Sequence, residues 1–205
     1  MSTQHWRARA VRLAGLLIAA AIGAAAVWAF KPAAPQLSSL DIGFAQDMRT
    51  HHQQAVTMTD MLAPDDGPDI RGVAEEIRFQ QLGEIGQMTG WLQIANTAMI
   101  SPKPMAWMST MPDMAPPKPT MPGMASPADL KMLQRSTGHA NEIHFLQLMI
   151  RHHQGGIQMA AYAAAHTEVD AVHQTALEMV NQQTQEIQLM TVLLNQRGAA
   201  VLPFP

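Results

Sequence analysis

The sequence predicts an all-α protein: a four-helix bundle built from a duplicated helical hairpin, with an apolar N-terminal helix in front of it. Three features carry this reading. An apolar run follows a basic flank, two sequence blocks recur 101 to 102 positions later, and apolar residues recur at the period of a helix.

At the N-terminus, Arg7, Arg9 and Arg12 precede an uninterrupted apolar run from Leu13 to Phe30, which Lys31-Pro32 ends. A basic flank before such a run is the pattern of a secretory signal or a signal anchor. Residues 13–30 reach the lower limit for spanning a bilayer. No small-x-small cleavage site follows, which favours an uncleaved anchor in the cytoplasmic membrane. The positive-inside rule then puts the arginines in the cytoplasm and the rest outside, in the periplasm or at the cell surface. Residues 1–30 are thus read as signal anchor or signal peptide, and 31–39 as a Pro/Ala/Ser linker.

The duplication defines the remainder. Asp41-Ile-Gly-Phe-Ala-Gln-Asp-Met-Arg-Thr-His-His-Gln returns 101 positions later as Glu142-Ile-His-Phe-Leu-Gln-Leu-Met-Ile-Arg-His-His-Gln. A second block repeats at an offset of 102: Glu76, Gln80, Gln81, Glu84, Ile85 and Met88 correspond to Glu178, Gln182, Gln183, Glu186, Ile187 and Met190. Phe44, Met48, Ala55 and Leu62 share one helical face, as do Val73, Ile77, Glu84, Met88 and Leu92. The spacing predicts helices over 40–62, 69–97, 138–166 and 168–197, with a short one near 127–135. Pro64 to Pro68 breaks the first pair. The first hairpin is placed at 40–100 and the second at 128–200, and amphipathic hairpins of this kind pack together as a bundle. Residues 101–127 form a Met/Pro-rich linker in which Met105, Met108, Met111 and Met114, then Met121 and Met124, recur at every third position. A linker has no core to fill, which weakens the ordinary packing role of methionine there.

Composition narrows the chemistry. The chain has 205 residues, 47% of them hydrophobic, and a formal charge of −3 with no basic cluster beyond the N-terminus, so nucleic acid is not an expected partner. There is no cysteine, which excludes disulfides, thiolate metal sites and cysteine nucleophiles. Seventeen methionines against 5% aromatic residues is an excess that a generally rich core does not explain.

The chemistry-bearing residues lie in the repeated blocks. His51 and His52 fall on opposite edges of the first helix's apolar stripe, within one turn of Met48, and Met58 lies on the edge of His51. Met149, His152, His153 and Met159 copy the arrangement, and a two-fold related bundle brings the two sets toward each other. Thioether and imidazole together suit Cu(I) or Ag(I) over iron, calcium or magnesium. Glu84 and Glu186 sit on apolar stripes, where a lone carboxylate is costly. Each either orients a histidine or pairs with Arg78, Gln81 or Gln183 as a purely structural group. Met88, Met179 and Met190 read as core, and His139, His144, His166 and His173 as solvated or capping groups.

The elements Phe44-x3-Met48-x2-His51-His52-Gln53-x4-Met58, Phe145-x3-Met149-x2-His152-His153-Gln154-Gly155-x3-Met159 and Met121-Pro-Gly-Met124 resemble the bacterial domain-of-unknown-function 305 family, over roughly 40–197. The resemblance implies a ferritin-like helical bundle and, for some members, copper binding and copper tolerance outside the cytoplasm. It implies metal ligands among Met48, His51, His52, Met58, Met149, His152, His153 and Met159.

The function expected is extracytoplasmic binding and buffering of copper, Cu(I) foremost and silver next, with Met111, Met114, Met121 and Met124 as further ligands. The expected partners are the metal, the membrane, and either a metal-transfer protein or a second copy. No catalytic residue is expected. A ferritin-like di-metal oxidase needs Glu-x-x-His motifs, which helices two and four lack. The remaining alternative is a metal-free helical interaction module whose histidine pairs sense pH.

Overall fold

The computed structural model describes residues 3–29, 36–108 and 120–204, and these are all-helical, with no strand among them. Two units separate, Met1–Pro35 and Gln36–Pro205. The first holds helix α1 (Thr3–Ala29). Among the described residues no helix is long and apolar enough to cross a membrane. The anchor expected at 13–30 is therefore not supported by the described residues, and its last residue, Phe30, lies outside them.

The second unit contains α2 (Ser39–Thr59), α3 (Pro68–Ile94), a short 3-10 turn at Ala106–Met108, α4 (Pro127–Arg135), α5 (Gly138–His166) and α6 (Asp170–Gln196). Local chemistry sets the boundaries. Ser38 and Asp41 form a reciprocal capping box at the start of α2, and Ser126 and Asp129 do the same for α4. Helix α2 stops three residues before the expected Leu62, at the turn where Ala63 N–H donates to Asp66. Helix α3 also ends early, because Asn96 takes a left-handed conformation (φ 50°) and Thr97 N–H closes back on the Leu92 carbonyl.

Helices α2 and α3 pack as one hairpin and α5 and α6 as another, and the hairpins meet through α2 and α5. Helices α3 and α6 approach each other only slightly. The described arrangement is thus a row, α3–α2–α5–α6, and these contacts do not establish the closed four-helix bundle expected from the sequence. Two apolar clusters show that α2 and α5 run antiparallel. One joins Phe44 and Met48 with Met159, Ala160 and Ala163; the other joins Ala55 and Met58 with Phe145, Leu146 and Met149. Each large side chain so buried contributes about 1.5–3 kcal/mol.

One polar network ties the ends of the hairpins. Arg197 donates to Glu142 at 2.5 Å and to Asp69 at 2.9 Å, and Glu142 also accepts the Gly67 N–H at 2.6 Å. The Arg197 hydrogen bond holds the Asp69 carboxyl below its ordinary range. Burial raises the Glu142 carboxyl, but Arg197 and the Gly67 amide outweigh it and leave it lowered. Lowered carboxyls stabilise the fold above their unfolded-state pKa and lose that contribution as pH falls through the lowered value, here below about pH 4. Arg197→Ala is expected to cost about 2 kcal/mol at neutral pH, and the deficit relative to wild type should shrink toward pH 3 in denaturant titrations.

Candidate metal centre

The four repeated histidines are not at the edges of an apolar stripe, as the helical wheel suggests. All four are buried at the α2–α5 crossing. The His51 and His152 rings stack with centroids 3.7 Å apart at 31°, while His52 and His153 stand 6.3 and 6.2 Å from their sequence neighbours.

Each ring is oriented through Nε2. His52 Nε2–H donates to Glu84 at 2.7 Å and His153 Nε2–H to Glu186 at 2.7 Å. The two carboxylates expected on apolar stripes thus each hold one histidine. His51 Nε2–H donates to the Pro122 carbonyl and His152 Nε2–H to the His51 carbonyl, both at 3.1 Å. A carboxylate or carbonyl oxygen only accepts, so Nε2 carries the hydrogen in each ring. Nδ1 is then the atom left free, and Nδ1 of His51, His52 and His153 is buried with no hydrogen-bond partner. Burial, reinforced by His52, pushes His51 down to about 3; burial and His51 push His152 well below its ordinary value. The stacked pair is therefore neutral at physiological pH.

Around this core lie four buried methionines. Met48 and Met159 belong to one apolar cluster and Met58 and Met149 to the other, so the motif methionines of each repeat are divided between the two clusters. Met121 and Met124 are half-buried on the segment that presents the Pro122 carbonyl to His51. Met111 and Met114 lie outside the described residues.

Buried imidazole nitrogens without partners fit a cation: a donor lone pair taken from water needs compensation, and thioether sulfur beside it suits a soft ion. Among the described residues no three or more His, Asp or Glu side chains are grouped to hold a metal. A site here would have to combine imidazole with thioether.

Several residues around this centre take structural roles that the sequence reading did not assign to them. Gly155 lies against the Pro122–Gly123 backbone, where a Cβ would meet the Pro122 carbonyl oxygen at 2.0 Å, and Gly123 takes φ 76° against the Arg151 carbonyl. Asp47 is buried and accepts from the Met105 N–H at 2.6 Å and the Trp107 indole at 2.9 Å. Met105 and Trp107 are themselves core residues, with Trp107 seated on Gly43. This corrects the premise that the linker has no core to fill: its first part is core, and Met105 packs there. Gln81 and Gln183, three residues before each histidine-holding glutamate, are buried with unpartnered amide atoms. The signals for these residues were present in the sequence: a Gly-Gly pair after the second His-His, and an aspartate where the second repeat carries Leu148.

Comparison with known proteins agrees with this architecture. A domain-of-unknown-function family, DUF305, matches residues 41–194. A crystal structure of a DUF305 protein from Streptomyces coelicolor is 37% identical with a TM-score of 0.73, covering 80% of this chain and 96% of that one. A DUF305 fragment from Deinococcus radiodurans is 27% identical, TM-score 0.67, covering 79% and 99%. CopM in its Cu(I)-bound form is 25% identical, TM-score 0.56, covering 76% and 96%. No curated protein matches the chain. The chain belongs to the DUF305 family.

Proposed function

We propose that this protein binds and buffers a soft metal ion outside the cytoplasm, Cu(I) foremost and Ag(I) next, and so contributes to copper tolerance. The observation that carries the reading is the set of buried, unpartnered Nδ1 atoms of His51, His52 and His153, with Met48, Met58, Met149 and Met159 in the adjoining clusters. Glu84 and Glu186 fix the ring orientation and supply negative charge to offset a cation. His152, Met121 and Met124 complete the candidate donors near the crossing, and Met111 and Met114 extend the supply of thioethers in the linker. The likeness to CopM, solved with Cu(I) bound, supports copper. The basic flank and apolar run at the N-terminus support export, as does the relative from Streptomyces coelicolor, described as a candidate secreted protein. The metal is the protein's cargo, taken up and released to a transfer partner.

Competition titration of the full chain against a Cu(I) chelator tests this. Replacing His51, His52, His152 and His153 by Ala is expected to weaken Cu(I) binding by at least about a hundredfold, which is ~2.7 kcal/mol. Met48→Leu with Met159→Leu preserves packing volume and is expected to weaken Ag(I) and Cu(I) while sparing Zn(II). An affinity indifferent to all six changes sinks the proposal.

A further inference from the structure

The duplication provides an internal reference for the outer faces of the two hairpins. At an offset of 102, positions 79, 83, 86, 90 and 94 of α3 correspond to 181, 185, 188, 192 and 196 of α6. Helix α6 carries Asn181, Gln185, Gln188, Val192 and Gln196 there, four polar side chains of five. Helix α3 carries Phe79, Gly83, Gly86, Gly90 and Ile94.

These positions share one stripe at 3.6 residues per turn. Phe79 is 77% exposed and Ile94 87% exposed, and a Cβ at Gly83, Gly86 or Gly90 would meet nothing. The glycines therefore make no room for any described part of the second unit, although glycine inside a helix is unfavourable relative to alanine. A surface that keeps large apolar groups exposed beside unneeded glycines is shaped for a partner.

The pattern also says which partner. Set two copies of α3 antiparallel about the midpoint between Glu84 and Ile85. Phe79 of each copy then falls opposite Gly90 of the other, and Gly83 opposite Gly86, so Phe79 meets a hole, the two backbones approach closely, and Ile94 lies at the rim opposite Glu75. This is the self-complementarity of a two-fold interface, in which one patch serves both sides. Charge agrees with it. From Phe79 to Gly90, the stretch that pairs with itself at the centre, the only ionisable side chain is Glu84, which turns inward to His52, so the central contact brings no like charges together. We propose that the Phe79–Ile94 face of α3 is a homodimer interface, formed by antiparallel packing of α3 on α3 of a second copy.

Sedimentation of the full-length chain tests it, alongside Phe79→Asn and Gly86→Gln, which install the residues α6 carries. Both changes fall in open space, so the monomer fold should be kept, as circular dichroism would verify. The wild type is expected to dimerise, and each variant to weaken the dimer at least about tenfold. A wild-type chain that stays monomeric, or association that persists in both variants because α1 or another surface carries it, overturns the proposal. The chain has no cysteine, so register is directly readable. Mixing Gly83→Cys chains with Gly86→Cys chains should yield mainly the 83–86 disulfide. Cross-linking that favours 83–83 and 86–86, or that runs no faster than at Gln185→Cys and Gln188→Cys on α6, overturns the antiparallel interface.

Discussion

Gly155→Ala is expected to destabilise the protein by about 3 kcal/mol, as overpacking in a rigid site does, and to lower its melting temperature by roughly 6–12 °C. The added methyl would meet the Pro122 carbonyl oxygen at 2.0 Å, its carbon at 2.4 Å and the Gly123 nitrogen at 2.8 Å. All three are backbone atoms, so no side chain can rotate away. The Met121–Met124 segment must lift from α5, and His51 then loses the carbonyl that accepts from its Nε2. Gly72→Ala is the matched control, because a Cβ there meets nothing, and it should be neutral or slightly stabilising. A Gly155→Ala protein that melts with the wild type would show that the segment does not dock as described.

Mild acid is expected to unfold the metal-free protein. His51 is pushed down to about 3 in the fold, mainly by burial, from an ordinary value near 6.5, and His152 shifts the same way. Between those values the unfolded chain holds protons that the folded chain does not. Stability is therefore complete above about pH 6.5 and falls as pH drops toward 3, by up to about 1.4 kcal/mol per pH unit for each such histidine. The carboxyls of Asp69 and Glu142 add to the loss only below about pH 4. Urea titrations at pH 7, 6 and 5 measure the slope, and His51→Phe should flatten it. A stability that is level from pH 7 to pH 5 would mean that the stacked rings accept protons without leaving the core.

Much of the α2–α5 crossing was legible in the sequence. The two His-His pairs stand in register at 51–52 and 152–153, the helical period places Met48 and Met149 one turn before them, and Glu84 and Glu186 occupy stripe positions that demand a partner. Those features are local or repetitive, and a single sequence displays them. What was not legible is long-range and not repeated. Trp107 can settle over α2 only because residue 43 is glycine, and Asp47 is tolerable in the core only because two donors from the linker reach it. Neither fact follows from periodicity. The wheel also placed His51 and His52 at the margins of a stripe. A wheel assigns one buried face, whereas α2, an inner helix, is covered by α3 on one side and α5 on another.

The stacked His51 and His152 rings lie where two antiparallel helices cross, with a separate apolar cluster toward each end. A lever pivoted at its middle behaves in a particular way: tilting one arm about the fulcrum closes one jaw as it opens the other. If the hairpins rock as rigid bodies about those rings, the Met48–Met159 end and the Met58–Met149 end cannot both tighten together.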